Sequence, residues 1–181
     1  NYAQAYNNLG IALQKLKKIS LAINNYKKAI GLKNDFPEAL NNLGNATWEL
    51  NKSKDSLVYL EKAIKINPNY AEAFNSLASI HYDLGDNQAA ISNYQESIKI
   101  NPNYAEAYYN LGMLFHDSAR FDESLSSYNK AIELNPNDEK FYNNLGNLLN
   151  NLGKYEEAMG TYNKAIQLKP DYAKAYSNHI F

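Results

Sequence analysis

Apolar residues return along this chain at spacings of three and four, in short stretches broken by polar turns. Tyr108, Leu111, Phe115 and Ser118 share one such face, and Leu125, Tyr128, Ile132 and Leu134 follow nearly the same spacing in the next stretch. The spacing predicts helix, because residues three and four apart lie on one helix face. Two helices form a pair, and the pair recurs. With a period of thirty-four, pairs begin at Ala3, Pro37, Ala71, Ala105, Glu139 and Ala173, with no insertion or deletion. The octapeptide INPNYAEA, at 66–73 and again at 100–107, is one joint written twice. A fixed period of this length predicts a solenoid in which each unit buries its apolar face against its neighbours. The units are read as 3–36, 37–70, 71–104, 105–138 and 139–172, with a partial sixth at 173–181, in a single array.

Pro68, Pro102, Pro136 and Pro170 lie between units, in NPN or KPD stretches. There proline ends one helix, and asparagine or aspartate is expected to cap the next. Gly10, Gly44, Gly112 and Gly146, with Ala78, fall mid-way along the first helix of each pair. Glycine inside a helix costs about 1 kcal/mol against alanine, so its return predicts a close helix contact that larger side chains would block. Ala22, Ser56, Ala90, Ser124 and Ala158 are a matching small position on the second helix.

The set Tyr142, Leu145, Gly146, Ala158, Tyr162, Ala165 and Pro170 resembles the signature of the tetratricopeptide repeat, and the resemblance covers the whole chain. It implies an all-α, right-handed superhelical solenoid of antiparallel helix pairs. The second unit departs most, with Leu40, Thr47, Ser56 and Leu60 at usual aromatic or alanine sites. Most tyrosines are thereby assigned to packing, and Tyr70, Tyr104 and Tyr172 to the joints.

Composition narrows function by exclusion. Eighteen basic against nineteen acidic side chains give a net charge of −1, so the counterion release that drives nucleic-acid binding has no source. The absence of cysteine removes disulfides, thiolate ligands and cysteine nucleophiles, and fits an intracellular, cytoplasmic setting. No apolar run is long enough to insert in a membrane. The chain begins and ends inside repeat units, and is expected to be part of a longer polypeptide.

In tetratricopeptide arrays the first helices line the concave face, which directs attention to their positions free of packing duty. The sixth residue of each unit reads Asn8, Asn42, Ser76, Asn110, Asn144 and Asn178, an asparagine ladder with one serine rung. An amide offers a donor and an acceptor side by side, matching a peptide unit of any side chain. Helices packed about 8–10 Å apart would present one amide for roughly every three residues of an extended peptide. Asn7, Asn41, Asn75 and Asn143, one residue earlier, read as compositional background. Trp48, Tyr82 and His116 share one position near the end of the first helices, with Tyr109 and Met113 on the same face, and are expected to anchor a bound segment. Charges at the rim change sign, from Glu38, Glu72 and Glu106 to Lys140 and Lys174.

These features predict a non-catalytic scaffold for an extended peptide or protein segment. The lysine and arginine clamp by which co-chaperones of the family hold a C-terminal carboxylate does not carry over. Asn7, Asn41 and Asn75 stand where lysine is needed, and Asn110 where arginine is needed. The ladder and the closing stretch AYSNHIF at 175–181 are similar to the repeat arm of O-linked N-acetylglucosamine transferases, which implies an alternative role in substrate selection for a catalytic domain outside this chain. A further alternative is self-association through an open end at Tyr176, Ile180 and Phe181. His81, His116 and His179 show no metal-ligand spacing, and no phosphate loop or nucleophile elbow occurs, so neither cofactor nor metal is expected.

Overall fold

The computed structural model describes residues 2–51 and 54–171, and there every regular element is an α-helix. The chain divides into two compact units, residues 1–100 and 101–181. The first unit holds α1 (Tyr2–Lys15), α2 (Ile19–Leu32), α3 (Pro37–Asn51), α4 (Asp55–Ile66), α5 (Ala71–Asp83) and α6 (Asn87–Ile100). The second holds α7 (Ala105–Asp117), α8 (Phe121–Leu134), α9 (Glu139–Asn151) and α10 (Tyr155–Leu168).

Within the first unit each odd-numbered helix packs on the helix that follows it, and α3 also touches both α1 and α5. The pairs run antiparallel: Ala3 near the start of α1 shares a core with Ala29 near the end of α2, while Ile11 and Leu13 meet Ile19 and Ala22. Further along, Leu40 packs with Ala63 and Ala73, and Leu60 with Leu77 and Ile80. In the second unit Tyr128, Leu145, Leu148 and Tyr162 form the core. Burial of such side chains stabilises by about 1.5–3 kcal/mol each.

The repeated glycines mark close contacts, as their spacing predicts. A Cβ on Gly112 would lie 2.8 Å from the ring of Tyr128, and one on Gly44 2.8 Å from Leu60. Gly10 and Gly146 face Tyr26 and Tyr162 even more closely. The small position opposite has an additional use in one pair, where the buried Ser124 hydroxyl donates to the Gly112 carbonyl at 2.8 Å. Elsewhere on a second helix, the buried Ser97 hydroxyl donates to Ala71 O, also at 2.8 Å.

Four of the turns inside the pairs share one backbone device. Lys17, Gly85, Ala119 and Gly153 occupy the same repeat position, and all are left-handed, with φ from 56° to 83°. The amide just after each one closes on a carbonyl five residues back: Lys18 on Leu13, Asp86 on His81, Arg120 on Phe115 and Lys154 on Leu149, at 2.8–2.9 Å. These bonds satisfy the last carbonyls of the first helix and turn the chain into the second.

The joints between pairs differ from the sequence expectation. In the NPN stretches asparagine folds back on its own turn and leaves the helix start alone. Asn67, Asn101 and Asn135 each accept from the amide two residues on, at 3.1, 3.1 and 3.3 Å. The residues that precede α5 and α7 are Tyr70 and Tyr104, neither with a side-chain cap bond. Of these three joints, only the one before α9 is capped by a side chain in the expected way, Asp138 accepting from Lys140 N at 3.0 Å. The competing principle is the asparagine turn, which uses the same carbonyl locally.

Candidate functional site

Several polar positions predicted for a ligand are, in the fold, bonded to side chains of a neighbouring first helix, mostly to residues outside the predicted set. In the first unit the Asn42 amide donates to Asn7 Oδ1 at 3.0 Å, thirty-five residues earlier. Trp48 Nε1 donates to Asp83 at 2.8 Å, and Gln14 Nε2 to Glu49 at 3.1 Å, with the same offset. Asn45 Nδ2 reaches Ser76 Oγ at 3.0 Å. In the second unit Asn144 Nδ2 donates to the Tyr109 hydroxyl at 2.9 Å, and Asn151 Nδ2 lies 2.8 Å from His116 Nε2, again thirty-five apart. The offset is one repeat plus one residue, so a side chain on one first helix meets the next position along on the following one.

This geometry separates the ladder rungs. Asn8 is exposed and accepts from Gln4 within its own helix at 3.0 Å. Asn42, Ser76 and Asn144 are half-buried. Asn110 is buried. The neighbouring column, which reads as background, is the more deeply placed: Asn7, Asn41, Asn75 and Asn143 are 2–6% exposed. The last rung, Asn178, lies outside the described residues.

The aromatic positions also serve packing. Trp48 rests on the cluster of Leu60, Leu77 and Ile80 while its N–H reaches Asp83. Met113 and Tyr109 pack on the Tyr128 cluster, and the Tyr109 and Phe141 rings lie 4.8 Å apart at 30°. His116 stands 6.1 Å from the Phe121 ring. Tyr82, half-buried, makes contacts of its own.

Second helices hold the face from behind through tyrosine hydroxyls. Tyr26 donates to Gln14 at 2.9 Å, Tyr162 to Asn147 at 3.0 Å, and Tyr94 pairs with Ser79 at 3.0 Å. Burial, helped by the Glu49 charge, pushes the Tyr26 phenol up to about 12, and burial also raises Tyr162. The Glu49 carboxyl is held below its ordinary value by hydrogen bonds from Lys17 and Gln14.

Two concavities open on these faces. One, of about 350 Å³ in the first unit, is lined by Ile11, Gln14, Lys17, Tyr26, Asn42 and Glu49. The other, of about 270 Å³ in the second unit, lies among Tyr104, Glu106, Tyr109, Asp138, Lys140 and Phe141. Sequence reading missed the Asn7 column and the row of Glu49, Asp83 and Asn151 that partners the preceding first helix. The signal available was the recurrence of a polar residue one position after that of Gln14, Trp48 and His116 in the neighbouring repeat. Among the described residues no group of three His, Asp or Glu could hold a metal ion, and no helix is long and apolar enough to cross a membrane.

A family profile described as TPR repeat matches residues 15–51, 78–118 and 146–178, well over half of the chain. Profiles described as tetratricopeptide repeat match 59–92 and 127–159, 105–138, and 37–70. Among solved structures, TTC0263, a thermophilic TPR protein of Thermus thermophilus, superposes with a TM-score of 0.87 at 21% identity, over 98% of this chain and 97% of that one. MamA superposes with a TM-score of 0.72 at 28% identity, over 91% of this chain and 96% of that one. YrrB, a TPR protein with an unusual peptide-binding site, has a TM-score of 0.69 at 24% identity, over 97% and 91% of the two chains. No curated protein matches the sequence. At their identities TTC0263 and YrrB establish fold alone. Neither profiles nor these structures support the glycosyltransferase-arm resemblance, and all of AYSNHIF, with the rest of the chain after Asp171, lies outside the described residues.

Proposed function

The chain belongs to the tetratricopeptide repeat family, and from that premise we propose that it is a non-catalytic protein-interaction scaffold. An extended peptide lies along the face of the first helices, and the amide side chains of that face meet the peptide backbone. The observation that carries the reading is the bonding of two rungs to the neighbouring column of the preceding first helix. Asn42 and Asn144 are held in place by Asn7 and Tyr109 before any ligand arrives. Each amide has two N–H groups and two lone pairs, so one bond to a neighbour leaves capacity for a bond to a peptide. A side chain already ordered loses less freedom when a ligand adds to it.

A reader of backbone is indifferent to most side chains. Fluorescence polarisation with labelled extended peptides tests this: scrambled sequences are expected to bind within a few-fold of one another, while N-methylation of alternate backbone amides weakens binding at least tenfold. N-methylated peptides that bind as well as the parent would defeat the reading. The finer proposal, a substrate arm for O-linked sugar transfer, requires a catalytic domain on the parent polypeptide, and the native mass by immunoblot decides it. Self-association rests on Tyr176, Ile180 and Phe181, outside the described residues, and is decided by sedimentation equilibrium across concentration. The cysteine-free composition supports an intracellular site of action.

A further inference from the structure

The joint between α8 and α9 breaks the repeat at three positions that meet in space. The residue that closes each unit is Phe36, Tyr70 or Tyr104 elsewhere, but Asp138 here. The third position of the first helix is Ala5, Ala39, Ala73 or Ala107 elsewhere, but Phe141 in α9. The fifth is asparagine in every other described first helix, but Tyr109 in α7. Loss of the closing aromatic ring and gain of the other two leave the cavity of about 270 Å³, whose lining includes Tyr104 and the Tyr109 and Phe141 rings, which lie against each other.

The charges around it are unequal. Asp138 is committed twice, capping α9 through Lys140 N at 3.0 Å and lying 4.0 Å from Lys140 Nζ. Those two opposite charges largely cancel. Glu106, exposed in the lining on the same helix as Tyr109, has no ion pair among the described residues. A cavity with aromatic walls and one uncompensated carboxylate selects a flat cation, which stacks on the rings and donates a two-pronged bond to the carboxylate.

We propose that this cavity receives an arginine side chain of the bound segment, with Glu106 as its counter-ion and the half-buried Tyr109 ring, backed by the buried Phe141, as its stacking wall. The assignment deepens the peptide-scaffold reading and rests on it for the source of the arginine. A carboxylate ligand directed to Lys140 is disfavoured by Asp138 and Glu106 in the same lining.

The test separates cavity from scaffold by using a ligand with almost no backbone. The full chain, labelled with ¹⁵N, is titrated with N-acetylarginine N-methylamide and with the citrulline analogue, which is the same size but uncharged. Shifts confined to residues 104–109 and 138–141, at least fivefold stronger in apparent affinity for the arginine compound, are expected. Glu106→Gln should erase the preference, and Asp138→Tyr, which restores the ring of the other joints, should abolish the shifts. An equal response to citrulline, or shifts scattered elsewhere, overturns the assignment whatever the N-methylated peptides show. Localised arginine shifts beside unaffected N-methylated binding would keep the cavity and reject backbone reading.

Discussion

The indole N–H of Trp48 donates to the carboxylate of Asp83 across 2.8 Å, joining α3 to α5 at an offset of thirty-five residues. The same ring packs on Leu60, Leu77 and Ile80, so one side chain holds a core cluster and an inter-repeat bond together. Asp83→Ala is expected to lower stability in urea unfolding by about 1 kcal/mol, the net worth of such a bond. Because Trp48 is the single tryptophan, its emission should shift in the folded variant as well. Unchanged stability and emission would show that the bond contributes nothing.

The glycines divide by what stands opposite them. Gly112→Ala would drive a methyl group against Tyr128, and overpacking of this kind costs about 1–3 kcal/mol. Gly160, inside α10, faces open space, so Gly160→Ala should stabilise by about 0.5–1 kcal/mol through helix propensity. Thermal unfolding of the two variants should therefore move in opposite directions.

Left-handed turns are occupied by glycine at Gly85 and Gly153 but by alanine at Ala119, with φ of 56°. A side chain there costs about 1–2 kcal/mol, and its relief in the glycine variant is partly offset by the greater freedom of the unfolded chain. Ala119→Gly is expected to raise the midpoint of urea unfolding by a net gain of about 0.5–1 kcal/mol. A loss would mean that the flexibility of the unfolded variant outweighs relief of the turn.

Two phenols set the alkaline limit. Tyr26 is raised to about 12 by burial and then by Glu49, and Tyr70 to about 12 by burial and then by Glu72 and Glu38. Unfolded tyrosine titrates near its ordinary value of 10. The folded state therefore retains these protons between about pH 10 and 12. Their stabilisation is fully present below about pH 10 and is lost as pH rises through about 12. Melting temperature should hold up to about pH 9 and fall steeply above about 10. Tyr26→Phe, which also loses the bond to Gln14, should start lower and fall less steeply.

The architecture is legible in the chain because packing repeats leave periodic marks of volume. Gly10 against Tyr26 and Gly146 against Tyr162 are contacts that only a small residue permits, and the permission recurs every thirty-four residues. The face is less legible. Asn7 and Asn143 read as compositional background because asparagine is abundant along the chain, yet both are buried, since burial depends on the helix laid over them. The partner of Trp48 had no local sign either, because an offset of one repeat plus one residue arises from how successive first helices cross. Asn67 shows a third limit: capping and turn formation compete for one carbonyl, and proline beside it favours the turn.

The bonds from Asn42 to Asn7 and from Trp48 to Asp83 run along the stack, from one first helix to the next. They are therefore springs as well as rungs. Pulling successive first helices apart breaks them and frees the same donors and acceptors for a ligand, whereas compression keeps them engaged. In such a face the stiffness of the stack and its supply of free donors and acceptors are set by one group of atoms.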